Sequence, residues 1–179
     1  MQIIRILAPC VLGLLLASCA RDVRPPAPSP APRQQVQRRP APAPVSTSAY
    51  FANAAAIDLF EIRSSEMALQ RSSSQRVREF ASMMVAAHKG TSAQLSLAGR
   101  RLNLLPSARL DPKRQAMLDR LQAATNFDAV YRQQQLAVHQ EAQALHRNYA
   151  ARGASPTLRP VAAAMVPIVE RHLRLLRYL

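Results

Sequence analysis

The feature that most constrains this chain is a row of residues at alternating spacings of four and three: Val77, Ala81, Met84, His88, Thr91, Leu95, Ala98 and Leu102. Only an α-helix keeps residues so spaced on one stripe, and a stripe that long must be covered by other helices. A second row, Leu158, Val161, Met165, Ile168, His172, Leu175 and Leu179, has the same rhythm near the C-terminus. From about Ser48 onward Pro and Gly are rare and Ala, Leu, Gln and Arg dominate. That is the composition of an all-helical domain, and the stretch is long enough for one core.

Local signals divide residues 48–179 into five helices. The first is expected from Ser48 to Arg71, with Ser72, Ser73 and Ser74 as turn and cap and with Ser72 and Gln75 at capping-box spacing. A second helix is expected to run to Leu104, ahead of Pro106. Asp111-Pro112 reads as N-cap and first helical residue of a short third helix ending near Ala124. Asn126 caps a fourth helix from Phe127 to Ala150, which Gly153 ends, and Thr157 caps a fifth that tolerates Pro160 in its first turn. Short loops make helices 1 and 2, and helices 4 and 5, antiparallel hairpins. The long connection between them contains the third helix. Two hairpins joined by one crossover form a ferritin-like four-helix bundle.

Three histidines fall in or beside the apolar rows. His88 and His172 interrupt the rows of helices 2 and 5, and His139 lies at the edge of a row formed in helix 4 by Tyr131, Val138, Ala142, Leu145 and Tyr149. On helix 1, Glu61 shares a face with the small or polar residues Ala54, Asp58, Ser65 and Ala68. In a hairpin, residues equidistant from the turn lie at one level. Glu61 and His88 are equidistant from the serine turn, and His139 and His172 from the Gly153–Thr157 loop. One carboxylate and three imidazoles are thus expected to meet at mid-bundle, a donor set for one mononuclear ion such as Zn, Fe or Mn. Asp58, Tyr131, Gln135 and Tyr149 are the candidates to orient them. The competing arrangement is a metal-free polar cluster of neutral histidines bonded to Glu61, Tyr131, Tyr149 or Gln135. His146, two turns beyond His139, is expected near the bundle end and outside the cluster.

Other chemistries lack residues. A ferritin-type di-iron centre needs Glu-x-x-His on two helices. Here Val85, Leu136 and Val169 stand three places before the histidines, and Glu66, Glu79, Glu141 and Glu170 lie off the site faces. No Ser-His-Asp elbow and no Gly-rich phosphate loop are present.

The N-terminus reads as an export signal. A weakly positive start with Arg5 leads into an apolar run, Ile6 to Leu16, and then to Leu16-Ala17-Ser18-Cys19. Residues 1–18 resemble a lipoprotein signal peptide, with Cys19 as the acylated first residue of the mature chain. The run is too short for a permanent membrane span. Cys10 would leave with the signal and Cys19 would be consumed as a thioether, so no disulfide is expected. Ala20 and Arg21 follow the cysteine where lipoproteins kept at the inner membrane usually have Asp, which favours an outer-membrane anchor facing the periplasm. Residues 19–47, with Pro25-Pro26-Ala27-Pro28 and Pro40-Ala41-Pro42-Ala43-Pro44, read as a disordered, semi-rigid linker. At about 3.1 Å per residue it reaches roughly 80 Å.

The formal net charge is +14, and Lys occurs only at Lys89 and Lys113. Such charge ordinarily suggests nucleic acid, but export and the absence of Trp argue against it. Anionic envelope lipids or polymers are the expected counter-charge, reached through arginines.

The run Phe51 to Ala68, the segment Val77 to His88, Phe127-Asp128-Ala129-Val130-Tyr131, Gln135-Leu136-Ala137-Val138-His139, and Pro167 followed by His172-Leu173 resemble, in that order, the domain of unknown function 4142 family. The resemblance covers about residues 50–178 and implies a ferritin-like bundle in exported bacterial proteins, with no settled activity. It places Glu61, His88, His139 and His172 at the family's polar positions. The chain departs from the pattern at Ala87, where Asp is usual before the histidine, and at Ser65, where Gly is common. The expectation is an envelope-anchored, non-enzymatic binding or structural protein; the alternative is a metal-dependent oxidoreductase or a metal-sequestering ferritin-like protein.

Overall fold

The computed structural model describes residues 44–179. The expected signal peptide, Cys19 and the Pro-rich segment as far as residue 43 lie outside the described residues. Within them the chain forms five α-helices: α1 Thr47–Arg71, α2 Gln75–Arg100, α3 Pro112–Ala123, α4 Phe127–Arg152 and α5 Leu158–Leu175, with a 3-10 turn at Leu176–Tyr178. Among the described residues there is no strand, only an isolated bridge between Val45 and Gly153. That bridge lies three residues ahead of the expected start of the helical domain: the Val45 N–H donates to the Arg152 carbonyl and the Ala154 N–H to the Val45 carbonyl.

α1 with α2 and α4 with α5 are the two hairpins, α1 also packs on α4 and α2 on α5, and α3 lies across α1 and α4. α1 and α4 run antiparallel, since Tyr50 at the start of α1 stacks on Tyr149 at the end of α4 and Ser65 late in α1 bonds Tyr131 early in α4. The result is the ferritin-like four-helix bundle with one crossover. α3 is held by Arg114, which is buried and paired with Asp111 and Glu141. Its C-terminal carbonyls are met by Arg71, whose guanidinium also lies 4.8 Å from the centre of the Phe127 ring.

Several ends differ from the local reading. Ser74, not Ser72, caps α2 by accepting from the Val77 N–H at 3.4 Å. α2 stops at Arg100, four residues before Leu104, because Asn103 takes a left-handed φ of 56°. That geometry lets the Leu104 N–H reach the Gly99 carbonyl and the Asn103 N–H the Arg100 carbonyl, which closes the helix as a Schellman turn. Thr157 makes no side-chain cap; the Ser155 hydroxyl accepts from the Leu158 N–H instead. Gly153 ends α4 in an extended conformation. Its role is space, since a Cβ there would meet the Tyr149 ring at 2.5 Å. Asp111 and Asn126 cap α3 and α4 as read.

Buried residues follow the α2 row from Val77 to Ala98. In α5 the buried row is Leu158, Ala162, Met165, Val169, His172 and, just beyond, Leu176. Every second member of the expected row is therefore replaced by its neighbour. Apolar clusters fill both ends of the bundle: Tyr50, Phe51, Leu95, Tyr149 and Leu158 at one, and Val77, Phe80, Leu121, Phe127 and Tyr131 at the other. Between them lies a band of buried polar side chains, and the site is there.

Candidate metal centre

His88, His139 and His172 come from α2, α4 and α5, and each is almost sealed from solvent, at 4%, 1% and 2% exposure. Their ring centroids are 5.7, 5.6 and 5.3 Å apart. One ring nitrogen from each lies within 4.8 Å of the others, the spacing of a metal-ligating group.

Hydrogen bonds decide which nitrogens are free. Asp58 on α1 accepts from the hydroxyls of Thr91 at 2.9 Å and Ser92 at 3.2 Å, and its Oδ1 lies 2.8 Å from His88 Nδ1. A carboxylate so held accepts a hydrogen bond from the His88 Nδ1–H, and His88 Nε2 is left buried without any hydrogen-bond partner. His139 Nδ1 donates to the Gln135 carbonyl at 2.8 Å, which leaves Nε2 facing His172 Nδ1 at 3.2 Å. Imidazole nitrogens on a tetrahedral ion at about 2.0–2.1 Å stand roughly 3.3 Å apart. The His139–His172 edge already has that length, so an ion that displaces the His172 Nδ1 proton, which His139 Nε2 now accepts, needs only His88 to close in.

The electrostatics separate the three rings. Burial drives His139 and His172 down to about 3, reinforced by the charge of His88. Both are neutral for most of the pH range. Burial pulls His88 the same way, but its bond to Asp58 and the negative charge of Glu61 outweigh this and raise it overall. A metal at the trio therefore competes with a proton on His88 Nε2.

Glu61 is fully buried, and neither carboxylate oxygen has a hydrogen-bond partner. Its Oε1 stands 3.4 Å from His139 Nδ1, on the side of that ring away from His172. The three-histidine group closes without it. Burial raises the Glu61 carboxyl to about 7, with the charge of His88 pulling the other way.

Of the four expected orienting residues, Asp58 holds His88, and Gln135 acts on His139 through its backbone carbonyl while its side chain donates to Ser64 Oγ. The two tyrosines are elsewhere. Tyr131 bonds Ser65 at 2.8 Å, and Tyr149 bonds Thr47 and the Ser155 N–H at the bundle end. Each finds a nearer partner on an adjacent element, so neither reaches the rings. His146 stays outside the trio, bonded through Nδ1 to Tyr50 at 3.0 Å. Thr91 and Ser92, which fix Asp58, escaped the sequence reading. Their signal was present: Thr91 sits in the apolar row one turn after His88. Glu66, Glu141 and Glu170 pair with Lys89, Lys113 and Arg147 on the surface, away from the site.

The chain matches the family described as a domain of unknown function, DUF4142, over residues 31–179, and it belongs to that family. In three dimensions it is similar to CopM in the Cu(II)-bound form, with a TM-score of 0.64 at 16% identity over 75% of this chain and 95% of that one. It is similar also to CopM in the Ag-bound form obtained by co-crystallization, with a TM-score of 0.61 at 16% identity over 75% of this chain and 94% of that one. At such identity the likeness speaks for the helical fold. No curated protein matches the chain in sequence.

Proposed function

We propose that this protein is a metal-binding lipoprotein of the bacterial envelope, tethered through acylated Cys19 and holding one ion between His88, His139 and His172. The observation that carries the metal reading is the convergence of three buried imidazoles on three helices, with the Nε2 of His88 unpartnered among them. A ring nitrogen left without a partner in a sealed interior costs about 1–3 kcal/mol. An ion at the centre of the trio removes that cost.

An all-imidazole set suits Zn, Cu or Fe better than Mn, which prefers oxygen donors. The fold neighbour CopM carries Cu(II) or Ag in the structures named above, so copper joins zinc and iron as an ion to test. Glu61, behind His139, supplies negative charge that offsets the ion's. Three protein ligands leave one position of a tetrahedral ion open, which is the basis of the alternative, a metal-dependent oxidoreductase. The burial of all three rings favours binding over turnover, because no organic substrate reaches the open position without parting the helices. The tether is supported by the order of residues 1–19; among the described residues no helix is long and apolar enough to cross a membrane.

Elemental analysis of protein purified from native membranes without added metal tests the site. The expected result is one equivalent of metal per chain, lost in His88→Ala, His139→Ala and His172→Ala. Metal-free wild type that also fails to take up Zn, Cu or Fe in titration would overturn it.

A further inference from the structure

The two ends of the bundle differ in charge. One end is built from the start of α1, the end of α2 with its closing turn, and the loop joining α4 to α5. Residues 44–57, 93–110 and 145–163 contain no Asp or Glu at all. They expose Arg100, Arg101, Arg152 and Arg159, and no ion pair among the described residues engages any of these four. Beside them Leu97 and Leu105 are 53% and 79% exposed. At the opposite end arginines are interspersed with Glu79, Asp119 and Asp128.

The chain also enters the bundle at the carboxylate-free end, where Val45 is pinned to the turn after α4. Whatever precedes residue 44 leaves from there. A tether attached at this end lets its arginines and leucines reach the surface that holds the anchor.

We propose that this end docks on an anionic lipid bilayer, with Arg100, Arg101 and Arg159 on headgroup phosphates and Leu97 and Leu105 in the interfacial layer. The proposal rests on the envelope placement proposed above and adds the face that meets the membrane. Guanidinium groups pair with phosphate in two-pronged fashion, and exposed leucines beside them bury apolar surface that a soluble anion would leave wet. The tether makes the contact intramolecular, so a weak surface affinity suffices to hold the bundle down.

The test uses the chain from residue 19 carrying Cys19→Ser, which contains the whole bundle and its core, and vesicles of phosphatidylcholine with or without phosphatidylglycerol. Sedimentation should show binding only with the anionic lipid. R100Q/R101Q/R159Q should weaken it roughly a hundredfold, as expected for three arginines near such a surface, and R120Q/R132Q/R174Q far less. L97S/L105S should weaken it as well. Absence of binding, or equal losses in the two arginine variants, would overturn the proposal. So would unchanged binding of L97S/L105S together with equal retention on immobilised polyphosphate, which would assign the end to an anionic polymer. Because the probe has no acyl chain, palmitate incorporation by the full chain tests the anchor separately, and either result can fail alone.

Discussion

Among the described residues Glu61 has the least satisfied side chain: fully buried, with two unpartnered oxygens. A buried unpaired carboxylate is costly, and its carboxyl is held up to about 7 by that burial. In metal-free protein at pH 8, Glu61→Gln should therefore raise unfolding stability by about 2 kcal/mol, since an amide of the same shape carries no charge to desolvate. Denaturant titration with chelator present measures it, and a destabilised variant would mean that the carboxylate has a partner in solution. Asp58 has the opposite role. It fixes His88 through Nδ1, and outer hydrogen-bond partners of ligating histidines typically account for 10–100-fold in metal affinity. Asp58→Asn should lose affinity on that scale while its melt in chelator moves much less; unchanged affinity would show that His88 is not a ligand.

At the scale of elements, two glycines of α2 separate helix propensity from packing. Gly90 has nothing within 4 Å of where its Cβ would stand. Gly90→Ala should stabilise by about 1 kcal/mol through backbone entropy alone. Gly99 lies under Phe51, whose ring a Cβ there would overlap, with the Leu104 carbonyl oxygen only 2.8 Å from the Cβ position. Gly99→Ala must displace the ring or open the Schellman turn, and a loss of about 1–3 kcal/mol is expected. Thermal melts of the two variants should shift in opposite directions, and a shared direction would show that the end of α2 is looser than its contacts imply.

For the whole molecule, the buried histidines set the response to acid. His139 and His172 are lowered to about 3, and His146 is lowered by burial to about 4. As pH falls below about 6.5 the unfolded chain takes up protons that these rings refuse, so stability falls until their folded values are reached. Glu61 works the other way between its ordinary value of 4.5 and about 7, gaining stability as pH falls. His88 is raised, so below 6.5 it is protonated folded or unfolded. Three imidazoles outweigh one carboxyl, and metal-free protein should be less stable at pH 5 than at pH 7 by chemical denaturation; equal stabilities would mean that water reaches the rings. Metal bound only by the folded state should raise the melting temperature, an increment that chelator removes. At the same scale, Cys19→Ser should abolish palmitate incorporation and move the protein out of the detergent phase; unchanged labelling would refute the anchor.

The sequence by itself determined the helices, the caps at Asp111 and Asn126, the buried face of α2 and the common level of His88, His139 and His172. These depend on local backbone chemistry and on spacing along a rigid 3.6-residue period, and both are written in the chain. The tertiary structure decided the rest. Which of two adjacent rows α5 buries is open in sequence, because an apolar stripe about 100° wide admits both, and contact with α2 and α4 selects Ala162 and Val169 over Val161 and Ile168. The ends of helices turned on single hydroxyls and one left-handed residue, Ser74, Ser155 and Asn103, among several neighbours of equal promise. Level placement brought Glu61 to the histidines, but only the packing of four helices fixed which side of His139 it faces. Ring orientation is set by hydrogen bonds such as those of Asp58 with Thr91 and Ser92 across the α1–α2 interface. Those bonds join residues that no local period relates.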